Sequence, residues 1–174
     1  MKIFCIADIH GGHIDFTGAG QCDCIFLLGD MGGSYAWQVK DFLYDNPGFR
    51  SRIFSILGNH DDDSDVEHYP WLNFQKYGQA QTITCERKQY SVLFLPFCET
   101  YKRIIIKQHP DIIVSHQPPV TYSGMTGFHR GIPLFAEMQK NASGSLWIHG
   151  HIHVNESMCG EHVQSVYGSR IILF

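Results

Sequence analysis

Short apolar runs that stop abruptly at a turn or a polar cluster recur along this chain, over residues 2–7, 24–28, 53–57, 90–96, 111–114 and 146–148. They are rich in Ile, Val, Leu and Phe and alternate little between apolar and polar positions, which is the pattern of strands covered on both faces. Stretches with helical spacing lie between them. Residues 35–46 carry Trp37, Val39, Phe42 and Leu43 and stop at Asn46-Pro47-Gly48, whereas residues 131–141 place Leu134, Phe135 and Met138 on one face. Residues 99–108 read as a third helix or, through Ile104-Ile105-Ile106, as a strand. Near the end, residues 163–167 and 170–174 flank Gly168-Ser169 and predict a hairpin whose edge could pair with another copy. Strands interleaved with helices predict one α/β domain over residues 1–174, with helices outside the sheets.

Composition narrows the class. At 174 residues, 44% hydrophobic and 17% charged, the chain has the material for one core and is not a disordered chain. A net charge of -4, with 13 dispersed Lys and Arg, supplies no basic track and argues against long nucleic acid as a partner. No apolar run approaches the roughly 18 residues of a membrane span, so no membrane partner is expected. The first seven residues run straight into Asp8, too short for a signal peptide, which predicts a cytoplasmic location. The six cysteines are scattered and read as buried, reduced thiols, because Cys22-x-Cys24 lacks further zinc ligands at suitable spacing. Trp37, Trp71 and Trp147 read as core or packing residues. Eleven histidines are the unusual feature.

Those histidines are placed, not scattered. In open α/β folds reactive groups sit past the carboxyl ends of strands. The first run empties into Asp8-Ile9-His10, where an extended chain would point residues i and i+2 to one side. The second ends Gly29-Asp30, the third Gly58-Asn59-His60-Asp61, the fifth Ser115-His116-Gln117-Pro118, and the sixth Gly150-His151-Ile152-His153. Oxygen and imidazole donors without thiolate suit Mn, Fe, Zn, Co or Ni. His68, His109 and His162 fall outside these segments and read as surface or packing residues, and His149 reads as structural.

The order D-x-H, G-D, G-N-H-D, S-H-x-P and G-H-x-H, from Asp8 to His153, resembles the calcineurin-like metallophosphoesterase superfamily. The resemblance implies a two-sheet β-sandwich flanked by helices, a four-layer αββα arrangement with two divalent metal ions at the strand ends. Asp8, His10, Asp30 and His153 would hold one ion. Asp30, Asn59, His116 and His151 would hold the other, with Asp30 bridging. His60 would be the catalytic, non-ligand histidine, and with Asn59 it would face the substrate. The implied activity is hydrolysis of a small phosphate ester, a phosphodiester first, by a hydroxide bridging the two ions, with Mn2+ as the first choice of metal. A phosphomonoesterase, a nuclease or a non-catalytic scaffold are the competing readings.

Two departures matter. The protein Ser/Thr phosphatase branch continues its second motif with an Asp-Arg pair, but this chain continues Asp30-Met31-Gly32-Gly33-Ser34. That argues against a phosphoprotein substrate and leaves His60 without an assigned orienting partner; Asp61, Asp62 and Asp63 read as a solvated acidic turn. The segment Gly127-Phe128-His129-Arg130-Gly131 resembles small phosphodiesterase members, in which His129 and Arg130 would reach a phosphate or leaving group from a loop over residues 118–130.

Overall fold

A computed structural model describes residues 1–102, 104, 109–119, 131–158 and 162–174, apart from the side chains of 157 and 158. In chain order the elements are β1 (Lys2–Ala7), β2 (Cys24–Leu27), α1 (Tyr35–Asp45), β3 (Ile53–Ser55), α2 (Asp65–His68), β4 (Gln79–Cys85) and β5 (Lys88–Leu95). There follow β6 (Ile112–Ser115), α3 (Pro133–Asn141), β7 (Leu146–His149), β8 (Ser157–Met158), β9 (Val163–Ser165) and β10 (Gly168–Leu173). One sheet has the order β10-β1-β2-β3, the other β4-β5-β6-β7-β9-β8. Strands β1, β2 and β3 are parallel, as are β5, β6, β7 and β9, so their carboxyl ends gather at common rims.

Strands β1, β2, β3, β6, β7 and β9 bury both faces because each sheet is covered on both sides there. Ile3, Cys5, Ala7, Phe26 and Leu28 meet Val92, Phe94, Val114 and Ile148 between the sheets. The alternate residues Phe4, Ile6, Ile25 and Leu27 face outward onto Tyr35, Ala36, Val39 and Leu43 of α1. Across the second sheet, Leu93, Ile113 and Trp147 take Phe135 and Met138 of α3. Three apolar interfaces between four layers make the αββα sandwich. The indole N–H of Trp147 donates to Ser115 Oγ at 2.8 Å, so this buried ring leaves no polar group unsatisfied. Trp37 and Trp71 do not join the core: they are 61% and 36% exposed.

The C-terminal hairpin is corrected. Strand β9 lies parallel to β7 in the six-stranded sheet, whereas β10 runs antiparallel to β1 in the other. The chain crosses between sheets at Val166-Tyr167, and this crossing buries Val166 and Ile172 in the inner core. An unexpected strand, β4, pairs with β5; only Ile83 of its seven residues is buried, so it lacks an apolar run. Residues 99–102 and 104 are not helical, and the remainder of the third expected helix lies outside the described residues.

Candidate metal centre

The rim where β1 and β2 end is built by the backbone. The Asp8 and His10 N–H groups donate to the Gly29 and Asp30 carbonyls, each at 3.0 Å, so the two loops lie side by side. Asp8 and His10 do not share a side through extended chain. Their φ angles are 55° and 49°, in the left-handed region, as are those of Asp30, His151 and His153. Among the described residues, five of the seven non-glycine residues with positive φ are candidate ligands. Such conformations persist where surrounding structure enforces them, and they collect at functional sites. Gly29 shows the crowding: a Cβ there would sit 2.4 Å from the Gly58 nitrogen and 2.8 Å from His116 Nδ1.

The candidate ligands form two groups, Asp30, His116 and His151 in one and Asp8, His10 and His153 in the other. Within each group the donor atoms lie within 4.8 Å of one another. The first is wholly buried. His116 Nδ1 lies 2.8 Å from the Leu28 carbonyl, which can only accept, so in the neutral ring Nδ1 carries the proton and Nε2 presents a lone pair. Around that Nε2 stand Asn59 Oδ1 at 2.9 Å, His151 Nδ1 at 3.2 Å and Asp30 Oδ2 at 3.4 Å. Asn59 thus joins this group. Burial alone would raise the Asp30 carboxyl, but the hydrogen bond and charge of His116, with the His60 N–H, hold it at about 2.

In the second group only Asp8 is buried; His10 and His153 are exposed. Their Nε2 atoms are 3.3 Å apart, and His153 Nε2 is 3.7 Å from Asp8 Oδ1. Asp8 Oδ2 accepts the His151 N–H at 2.8 Å, which ties the two groups together. Among the described residues, Asp8 Oδ1 is buried with no hydrogen-bond partner. Burial pushes this carboxyl up to about 7, partly opposed by the charge of His116. A buried carboxylate oxygen without a donor among the described residues, faced by two imidazole nitrogens, fits a divalent cation, which would satisfy all three at once.

Sequence reasoning missed the part played by Asp61. Its carboxylate accepts the N–H groups of Asp30 at 2.7 Å, Met31 at 2.8 Å and Gly58 at 2.8 Å. Asp61 therefore pins the Gly29-Asp30 turn to the Gly58-Asn59 loop, and the reading of this residue as a solvated turn is corrected. Asp62 and Asp63 are exposed. The Asp that ends G-N-H-D was the available signal. His60 donates its backbone N–H to Asp30 Oδ1 at 2.8 Å, and its exposed ring meets that of His10 edge-on at 5.4 Å between centroids. Asn59 and His60 line an open cleft of about 860 Å³ together with Asp61, Asp62, Asp63, Phe97 and Glu99.

His129 and Arg130 lie outside the described residues, as does most of the 118–130 loop. His149 is fully buried, with Nδ1 2.8 Å from the Gly150 carbonyl, and burial holds its ring down to about 3, as befits a neutral structural histidine. His68, His109 and His162 are exposed. Cys5, Cys22 and Cys24 are buried free thiols, while Cys85 and Cys98 are partly exposed. Among the described residues no helix is long and apolar enough to cross a membrane.

Residues 1–155 match the calcineurin-like phosphoesterase family, and the chain belongs to it. The family's chemistry is metal-dependent hydrolysis of phosphate esters, and its members generally bind two divalent metal ions. Two solved structures share the fold. Phosphopantetheinyl hydrolase from Mycobacterium tuberculosis is 11% identical, with a TM-score of 0.59, covering 95% of this chain and 89% of its own. TT1561 from Thermus thermophilus is 12% identical, with a TM-score of 0.56, over 95% and 88% of the two chains. No curated protein matches the sequence.

Proposed function

We propose that this protein hydrolyses a small phosphodiester at a dinuclear centre. Asp8, His10, Asp30 and His153 would hold one ion; Asp30, Asn59, His116 and His151 would hold the other, with Asp30 common to both sets. The carrying observation is the pair of ligand groups on one rim, joined by the bond from the His151 N–H to Asp8. Mn2+ is the first metal to supply, and Fe, Zn, Ni and Co suit the same donors. Two such ions, when bound, lower the pKa of water and neutralise charge on the phosphoryl oxygens.

The chain's own groups do the rest. His116 and Asp30 reach the buried ion from fixed positions, because Leu28 and the His60 N–H already hold them. His60, anchored through its backbone beside the second group, donates a proton to the departing alkoxide from the cleft side. Asn59 and His60 orient the ester. The diester preference rests on charge: among the described residues no Lys or Arg lines the cleft, whereas several carboxylates do. A monoester dianion would need more compensation there than a diester monoanion.

The test compares bis(p-nitrophenyl) phosphate with p-nitrophenyl phosphate on Mn2+-loaded protein. A higher kcat/KM for the diester is expected, and the reverse order overturns the diester assignment. His60→Ala should lower turnover by roughly 10²–10⁴-fold while two ions remain bound. Loss of an ion in that variant would make His60 a ligand.

A further inference from the structure

Tyr167 belongs to none of the motifs, yet its ring lies against the most exposed part of the centre. It stacks on the His153 imidazole with ring centroids 5.2 Å apart and planes 22° from parallel. That is an offset stack, the arrangement aromatic pairs prefer. Tyr167 stands where the chain crosses from β9 to β10, so its backbone belongs to neither ladder. Asn155 supplies what the ladders do not: its Nδ2–H donates to the Tyr167 carbonyl and its Oδ1 accepts the Tyr167 N–H, both at 2.9 Å. A two-point amide clamp, from a residue two positions after His153, thus fixes the tyrosine against that histidine.

His153 needs such support. Its side chain is 45% exposed and its φ is 51°. His116, by contrast, is fully buried and held through Nδ1 by the Leu28 carbonyl. We propose that Tyr167 is a positioning residue: stacked on His153 and clamped by Asn155, it holds the imidazole so that Nε2 faces Asp8 Oδ1 and His10 Nε2. Retention of the ion in the exposed group then depends on an aromatic ring outside the ligand motifs. The inference rests on the two-ion reading above.

The experiment is a calorimetric titration of the full chain with Mn2+, for wild type, Tyr167→Ala and Tyr167→Phe, beside His10→Ala to mark the exposed-group ion. In Tyr167→Ala that ion should bind roughly 10–100-fold more weakly, the usual effect of losing a group that orients a ligand, with the buried-group ion unchanged. Tyr167→Phe should restore it, because the ring and not the hydroxyl makes the stack. In Tyr167→Ala, kcat should recover at saturating Mn2+, which a substrate-binding role for the ring would not produce. The ring protons of His153 should also move downfield in the metal-free protein when the stacked ring is removed. Equal affinities in wild type and Tyr167→Ala, parallel weakening of both ions, or failure of Phe to rescue would each overturn the inference while leaving the two-ion centre standing. A wild-type protein that bound one ion would overturn the two-ion reading, and the Tyr167 role with it.

Discussion

The two ligand groups share one rim but differ in how they are held. Asp30, His116 and His151 are buried, and hydrogen bonds to the loops fix the side chains of Asp30 and His116. Asp8, His10 and His153 combine one buried carboxylate with two exposed imidazoles. Without a cation the first group is partly satisfied, since the raised proton affinity of His116, burial notwithstanding, pairs it with Asp30. The second leaves Asp8 Oδ1 with no hydrogen-bond partner among the described residues. One group is held by the fold, whereas the other would be completed by an ion. Exposure sets what each ligand means to the fold: a buried one is part of the packing, whereas an exposed one meets the fold through ring contacts at the surface, His10 with His60 and His153 with Tyr167.

The largest effect should follow substitution in the buried group. Asp30→Asn keeps the shape but removes the charge proposed to be shared by both ions. Turnover on a diester should fall on the order of a thousandfold, comparable to losing a preorganised electrostatic contact. The variant should also melt below wild type in chelator at neutral pH, because it loses a carboxylate held at about 2. Equal melting temperatures would break the claim that this group is held by the fold.

Asp8→Asn should act in the opposite direction on the metal-free fold. A carboxyl raised to about 7 favours the fold while protonated, and that contribution is lost as pH rises from its unfolded value of 3.8 through 7. At pH 8 the metal-free wild type therefore carries an ionised, buried Asp8 whose Oδ1 has no hydrogen-bond partner among the described residues. The neutral amide relieves this and should raise stability by up to about 4 kcal/mol, since each tenfold change in proton affinity is worth about 1.4 kcal/mol. Denaturant melts in chelator at pH 5 and pH 8 would check it, with the gain confined to the higher pH. With Mn2+ present the order should invert, because wild type regains the ion.

Much of the candidate site was legible in the sequence, for a physical reason. A metal site needs several strong donors, and an αββα sandwich offers places for them where its parallel strands end, so apolar runs stopping at Asp, Asn or His announce the site. The run over residues 2–7 coincides with β1. Strand β4 was hidden because an edge strand with only Ile83 buried carries no apolar signature. The β9–β10 hairpin was misread because local pattern records an apolar strand but not the sheet it joins. Backbone geometry was equally hidden: nothing in Asp8 or His151 announces a left-handed φ. The stack of Tyr167 on His153 arises from that same crossing between sheets.

The smallest effect on the fold should come from His10→Ala, which makes it the sharpest test of the comparison. The His10 side chain is exposed, and its backbone N–H keeps its bond to the Asp30 carbonyl whatever the side chain. The left-handed φ of 49° is tolerated somewhat better by histidine than by alanine, so a small strain cost is added. Metal-free stability should stay within about 1 kcal/mol of wild type, because the contacts to His153 and His60 that the variant gives up lie at the exposed surface. Glycine at this position, freed of the strain, should match or exceed it. Mn2+ titration should nonetheless show one tight ion in place of two. A large stability loss with both ions kept would reverse the assignment, making His10 a structural residue and its group no open half of the centre.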